Sequence, residues 1–339
     1  MFGYYRFFLA TFVLISHLDF NLHGFNIGVA SVVSFYMLAG YVVCNLLTDV
    51  FTPGKNIYAR FYSERILRIY PQYLFVVLLT VIFAVFSKKL PYQYDFYIFL
   101  KNILIVPVNY YMFNNISFFT ERNYAIVPIS FSLGLELQAY ILLPFIVFYK
   151  NIRIISSIIS MFIFFAACFG WLHTDYYGYR LLPGVLFIFN VGVCLAIASN
   201  SPEKISAFDK NFPPVIFGLT ILFSVLLGVF GRYHVLRPNQ IIVGILISIP
   251  TITYLSSFKR KVVFNRFMGD ISYGIFLSHY LALWIVQLLL EVDRKASPYT
   301  FAMLVFFFSF LIAAVGVLGV EKIFVKKRYR LAKPTLGSI

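Results

Sequence analysis

Apolar windows of 19 residues or more that contain no Asp, Glu, Lys or Arg recur along this chain, among them 20–48, 69–87, 154–174, 181–202, 211–231, 238–258, 271–290 and 296–320. A helix needs about 20 apolar residues to cross a bilayer, and each window meets that length. Only 12% of the residues are charged, about half the share in an average soluble domain. The length of 339 residues alone would suggest about two soluble domains, and the windows overrule that. Uninterrupted runs also exclude a β-barrel, whose strands alternate over about ten residues. The segment 1–20 lacks the marks of a secretory signal, because Arg6 precedes a run broken by His17 and Asp19 without a clear small-residue cleavage site.

Cys44, Cys168 and Cys194 lie inside apolar windows with no metal-ligand spacing. They read as small hydrophobes rather than as a disulfide framework. The sequence shows no Gly-rich phosphate loop, no His/Cys metal signature and no internal repeat. Neither a metal nor a bound cofactor is therefore expected.

Two further apolar stretches, 4–19 and 130–149, are interrupted by charge. Adding them predicts ten spans: 4–19, 27–47, 69–87, 130–149, 154–172, 181–199, 214–231, 240–257, 271–290 and 299–320. The expected fold is an all-α polytopic membrane protein of about ten transmembrane helices in one bundle. Residues 1–325 form the transmembrane domain, and 326–339 a basic cytoplasmic tail. Ten spans put both termini on one side, which carries 19 of the 28 Lys/Arg residues. Basic residues stay cytoplasmic, so both termini are expected inside. The net charge of +15 is then an orientation signal with attraction to anionic membrane lipids. No nucleic-acid partner is expected, because the basic residues form no separate module.

The long outer connection, 88–129, is rich in Tyr, Asn and Phe, and its stretch 95–106 reads as a helix on or dipping into the membrane. Aromatics with Asn suit a sugar-binding surface, and they suit interfacial anchoring equally well.

Ionisable groups inside spans are costly and mark function. Arg6 and His17 are eleven residues apart, about 1100° of helical turn, so they share a face with about 16 Å of rise between them. Such a pair fits a long ligand with a phosphate end for the guanidinium and a reactive end for the imidazole. The plainer alternative is that the two snorkel to opposite headgroup layers. Glu136 shares a stripe with Ser132 and Tyr140 at four-residue spacing. It suits orienting a histidine or binding a hydroxylated acceptor, or pairing with a cation of a neighbouring helix. Arg60, Arg65 and Arg68 precede the third span, with Arg65 and Arg68 on one face. They read either as a nucleotide phosphate clamp or as a topogenic basic loop. In the ninth span Ser272, Tyr273 and His279 are polar, and His279 lies near the depth of His17. His23, His173 and His234 fall in outer loops, where solvated residues are the default.

These residues fall into an ordered set of motifs. Arg6 and His17 lie in YYRFFLATFVLISH, followed by SFYMLAGYVV (34–43), SERILRIYPQY (63–73), FSLGLELQAYILLP (131–144) and MGDISYGIFLSH (268–279). In this order they resemble acyltransferase family 3, integral membrane acyltransferases of cell-envelope glycans and some small molecules. Phe131 stands where that family usually has Trp, Ala139 where it has Phe, and Ala39 where it has Ser. Every ionisable position is kept.

The resemblance implies O-acyl transfer, usually of acetyl, from acetyl-CoA or another acyl-CoA to a hydroxyl. It assigns catalysis to His17 and Glu136 and donor binding to Arg6, Arg65 and Arg68, with Ser132, Tyr140, Ser272, Tyr273 and His279 lining the site. The expected acceptor is a lipid-linked or polymeric glycan such as O-antigen or capsule, and the expected location is a bacterial inner membrane. Many relatives append an outer hydrolase-like domain, and this chain is expected to be the form without it. The alternatives are acylation of a small macrolide-like metabolite, or a glycolipid transporter without chemistry. Pro183, Pro213, Pro214 and Pro250 do not repeat in two halves as transporter half-helices often do.

Overall fold

A computed structural model of the chain describes residues 1–18, 25–51, 56–120, 124–200, 203, 205–229, 236–258 and 262–332. Among them it forms thirteen α-helices: α1 (Phe2–Ser16), α2 (Ile27–Asn45), α3 (Ile57–Ser87), α4 (Phe96–Leu104), α5 (Val106–Asn109), α6 (Ser130–Phe148), α7 (Lys150–Cys168), α8 (Leu182–Asn200), α9 (Ala207–Val229), α10 (Leu236–Ser257), α11 (Asn265–Trp284), α12 (Pro298–Val315) and α13 (Lys322–Ala332). Wider π turns extend four of these runs, at Leu46–Val50, Tyr176–Arg180, Ile285–Leu289 and Gly316–Glu321. The described residues contain no strand, only isolated bridges such as Tyr92 with Phe119. Among the described residues, nine helical runs are long and apolar enough to cross a membrane, so this is an all-α integral membrane protein.

Several boundaries differ from the sequence reading. The first expected span is only the 15-residue α1, which tightens at its end as His17 N–H donates to Leu14 O and Leu18 N–H to Ile15 O. The third expected span begins far earlier, because α3 runs 31 residues through Pro71 and takes the basic segment into one helix. The basic tail is helical through Ala332, and 333–339 lie outside the described residues. His23 and His234 also lie outside the described residues.

The chain divides into two compact units, the first comprising Met1–Phe2, Asp19–Pro53 and Gln138–Val263, and the second Gly3–Leu18, Gly54–Leu137 and Phe264–Ile339. In the first unit, α2 and α8 approach so closely that a Cβ on Gly40 would lie 2.0 Å from Phe189 O, and one on Gly192 1.9 Å from Met37 O. Small residues that let backbones meet are the usual means of packing helices in lipid. Arg153 ties α7 to α9 through Asp209 and reaches the last carbonyls of α6, at Ile146 and Val147.

In the second unit, α1 and α11 run parallel and in step. At one end Gly3 N–H donates to Asn265 Oδ1 at 2.9 Å, and at the other Tyr280 Oη meets His17 Nδ1 at 3.2 Å. Phe7 packs edge-on against Phe306 of α12. The described part of segment 88–129 is organised around buried Asn102. Its Nδ2 donates to Ile98 O and Ile116 O, its Oδ1 accepts from Ile126 N–H, and its carbonyl accepts from Tyr73 Oη. The expected helix at 95–106 is α4, capped by Asp95 and with Phe96, Tyr97 and Phe99 exposed.

Candidate active site

The site is built in the second unit, in two layers at opposite ends of the α1–α11 pair. Because α1 and α11 keep step, Arg6 stands level with the start of α11 near Asp270, and His17 stands beside His279 and Tyr280.

The imidazole layer is the more specific. The rings of His17 and His279 stack with centroids 5.3 Å apart and planes 18° apart. His279 is buried, and its Nδ1 lies 2.8 Å from Phe276 O. A carbonyl only accepts, so Nδ1 carries the proton and a neutral ring keeps its lone pair on Nε2. That Nε2 has no hydrogen-bond partner. Tyr280 tilts over His17 at 5.0 Å and continues into an aromatic wall of Tyr124 and Trp284. Arg294 donates to His17 O at 2.8 Å and fixes the backbone of the last α1 turn. His17 sits on that tightened turn, where each residue advances about 120° rather than 100°. Strict helical spacing to Arg6 therefore does not carry to the final step.

The arginine layer is an ion-pair network. Arg68 Nη1 meets Asp270 Oδ1 at 2.6 Å and also Glu321. Arg328 joins Glu64 at 2.9 Å and Glu321 at 2.8 Å, and Arg65 pairs with Glu64. Three guanidinium groups thus face three carboxylates, with exposed Arg266 3.8 Å from Asp270 at the edge. Both partners of Arg68 meet Nη1, so Nε and Nη2 stay outside the network. Arg65 and Arg68 are brought together as expected, but among carboxylates that the sequence reading left out. Glu64, Asp270, Glu321 and Arg328 all stand at the edges of charge-free windows or outside them, where charge marks a boundary and reveals no partner. Tyr280 and Arg294 were missed for a similar reason, Tyr280 being one of 25 tyrosines.

The remaining expected residues take varied positions. Arg6 is half-buried on α1, and Glu136 is half-buried on α6. The first turns of α6 dock on α5 through Asn109 Nδ2, which donates to Phe131 O at 3.0 Å. Ser132 Oγ donates to Ile129 O and Ser272 Oγ to Gly269 O, so both hydroxyls bond the backbone three residues back. Tyr273 Oη donates to Ile69 O and pins α11 to α3. Tyr140 falls in the first unit. His173 is exposed and stacks on Tyr176. Among the described residues, no group of three or more His, Cys, Asp or Glu is placed to hold a metal ion.

A stacked imidazole pair at one level and a guanidinium layer at another thus lie in a protein that has membrane-length helices. The acyltransferase domain family, acyltransferase family 3, matches residues 2–319, and the chain belongs to it. An uncharacterized protein of Aquifex aeolicus (strain VF5) is 36% identical over 163 residues, 48% of this chain and 72% of that protein. The peptidoglycan O-acetyltransferase OatA of Listeria monocytogenes serovar 1/2a is 26% identical over 317 residues, 83% of this chain and 49% of its own length. The chain thus spans about half of OatA. No solved structure matches it.

Proposed function

We propose that this protein transfers an acyl group, acetyl in the first instance, from acyl-CoA to a hydroxyl of a cell-envelope glycan. The observation that carries the reading is the His17–His279 stack, held by Tyr280 and Arg294 at the far end of α1 from Arg6. The similarity to a peptidoglycan O-acetyltransferase supports O-acylation and an envelope polymer as acceptor. Both termini and the arginine layer then face the cytoplasm, where the donor is made, and the membrane is a bacterial plasma membrane.

With Nδ1–H of His17 donating to Tyr280 Oη, Nε2 holds the lone pair. Nε2 takes the proton of the acceptor hydroxyl as its oxygen attacks the thioester carbonyl carbon. The carbon–sulfur bond breaks, and the departing thiolate recovers that proton from His17. Stacked His279 holds the ring plane, Glu136 orients the acceptor or the imidazole, and Arg6, Arg65 and Arg68 attract the donor phosphates.

The test is His17→Ala in membranes supplied with acetyl-labelled acetyl-CoA and extracted envelope polysaccharide. General acid–base groups contribute about 10²- to 10⁴-fold. Label transfer should fall by at least that lower bound while the protein stays in the membrane at wild-type level. Unchanged transfer would remove His17 from the mechanism.

A further inference from the structure

Glu64, Arg68 and Gln72 follow at four-residue spacing on one face of α3, so Gln72 stands one turn further into the protein than the arginine layer. Its side chain is 1% exposed, and neither Nε2 nor Oε1 has a hydrogen-bond partner. The amide faces a seam of small residues. A Cβ on Gly274 of α11 would lie 2.5 Å from Gln72 Nε2, and one on Gly316 would lie 3.2 Å away. Ser309 Oγ of α12 is likewise buried without a partner, as is His279 Nε2. The unpaired groups thus lie on α3, α11 and α12, from the turn beyond the arginine layer up to the imidazole pair itself.

An unpaired buried amide is a standing cost, greater where the surroundings are lipid and protein than where water can reach. Natural proteins keep such a group when another molecule completes it. A primary amide offers one donor edge and one acceptor edge, the complement of a secondary amide. The span to be bridged follows from α11: Asp270 to His279 is nine residues, about 13–14 Å of rise. The pantetheine arm of CoA, with roughly twelve bonds between phosphate and sulfur, extends as far as a four-residue strand, about 13–14 Å. That arm carries two secondary amides.

We propose that the Gln72 side-chain amide is a docking point for a secondary amide of the pantetheine arm, setting how far the thioester reaches toward His17. The inference rests on acyl-CoA being the donor. The test uses the full-length protein purified in detergent and titrated with CoA and, separately, with adenosine 3′,5′-bisphosphate, which keeps nucleotide phosphates and lacks the arm. In Gln72→Leu the affinity for CoA should fall tenfold or more, while that for the bisphosphate stays within twofold of wild type. The ligand-free variant should unfold at the wild-type temperature or above it, because an uncompensated amide has been removed. Gln72→Met, which keeps the length and loses both polar edges, is measured beside it in case the leucine variant does not purify.

CoA affinity unchanged in both variants, an equal fall for both ligands, or a lowered unfolding temperature would each overturn the assignment and make Gln72 packing alone. A wild-type protein that binds the bisphosphate but gains nothing from the arm would also overturn it, with the donor reading intact. A wild-type protein that binds neither ligand would instead overturn the donor reading itself.

Discussion

Each unit buries a cluster of charge, and the two clusters are built to opposite rules. In the first unit Arg153 meets both carboxylate oxygens of Asp209, at 2.7 and 2.8 Å, and spends Nη1 on the carbonyls of Ile146 and Val147. Asp209 is completed by Ser206 Oγ and Cys194 Sγ. That ion pair is closed. In the second unit Arg68 leaves two nitrogens out of its pairs, Glu321 Oε2 is buried without a partner, and Gln72 lies one turn on with both polar atoms unpaired. A closed cluster joins helices, whereas an open one keeps hydrogen-bonding capacity for a molecule that arrives later.

The largest effect expected from this contrast is at the closed cluster. Arg153→Ala leaves Asp209 buried and unpaired, a change that costs about 3–5 kcal/mol. It should appear as a large fall in denaturant resistance in mixed micelles. The double variant Arg153→Met with Asp209→Leu should regain most of that loss, because a buried pair exchanged for matched apolar groups is often near neutral. A single variant as stable as wild type would break the contrast.

A smaller effect is expected at the imidazole layer. Tyr280→Phe removes one hydrogen bond to His17, worth about 1–1.5 kcal/mol. Acyl transfer should slow by about five- to tenfold with an unchanged unfolding temperature. A loss of stability without loss of rate would make Tyr280 a packing residue.

The smallest effect is expected at the exposed pair of Lys89 and Glu291. Lys89 holds the Glu291 carboxyl below its ordinary range through their hydrogen bond and charge attraction. A lowered folded value means that any stabilisation is present above the unfolded pKa and is lost as pH falls through the folded one. Both side chains are solvated, so Lys89→Ala should leave the unfolding temperature unchanged at pH 7 and pH 4 alike. A pH-dependent shift would show that exposed charge matters here too.

Much of the fold is written in the spacing of charge. Among the described residues, nine spans of membrane length each take in one of the expected apolar stretches, and α4 forms within the expected helical stretch 95–106. The α3 boundary was hidden because Arg60, Arg65 and Arg68 read as loop, although helical propensity carries through them once Glu64 and distant carboxylates neutralise the row. At the site, the depth of His279 follows from helical rise, so its meeting with His17 was legible in part. The partners of Arg68, and Glu64 as a partner of Arg328, were not, since those contacts join residues 202 to 264 positions apart and leave no periodic trace. Asn102 was equally silent: one asparagine among several in a polar stretch gives no sign that it organises the segment.

A Cβ on Gly3 would lie 1.6 Å from Asn265 O, so the first turn of α1 rests directly on the backbone of α11. A bulkier residue there would push the start of α1 sideways off α11, and a stiff helix would carry that tilt to its opposite end. The reach of the reactive ring is thus gauged fourteen residues away, by a hydrogen atom where a methyl group would otherwise stand.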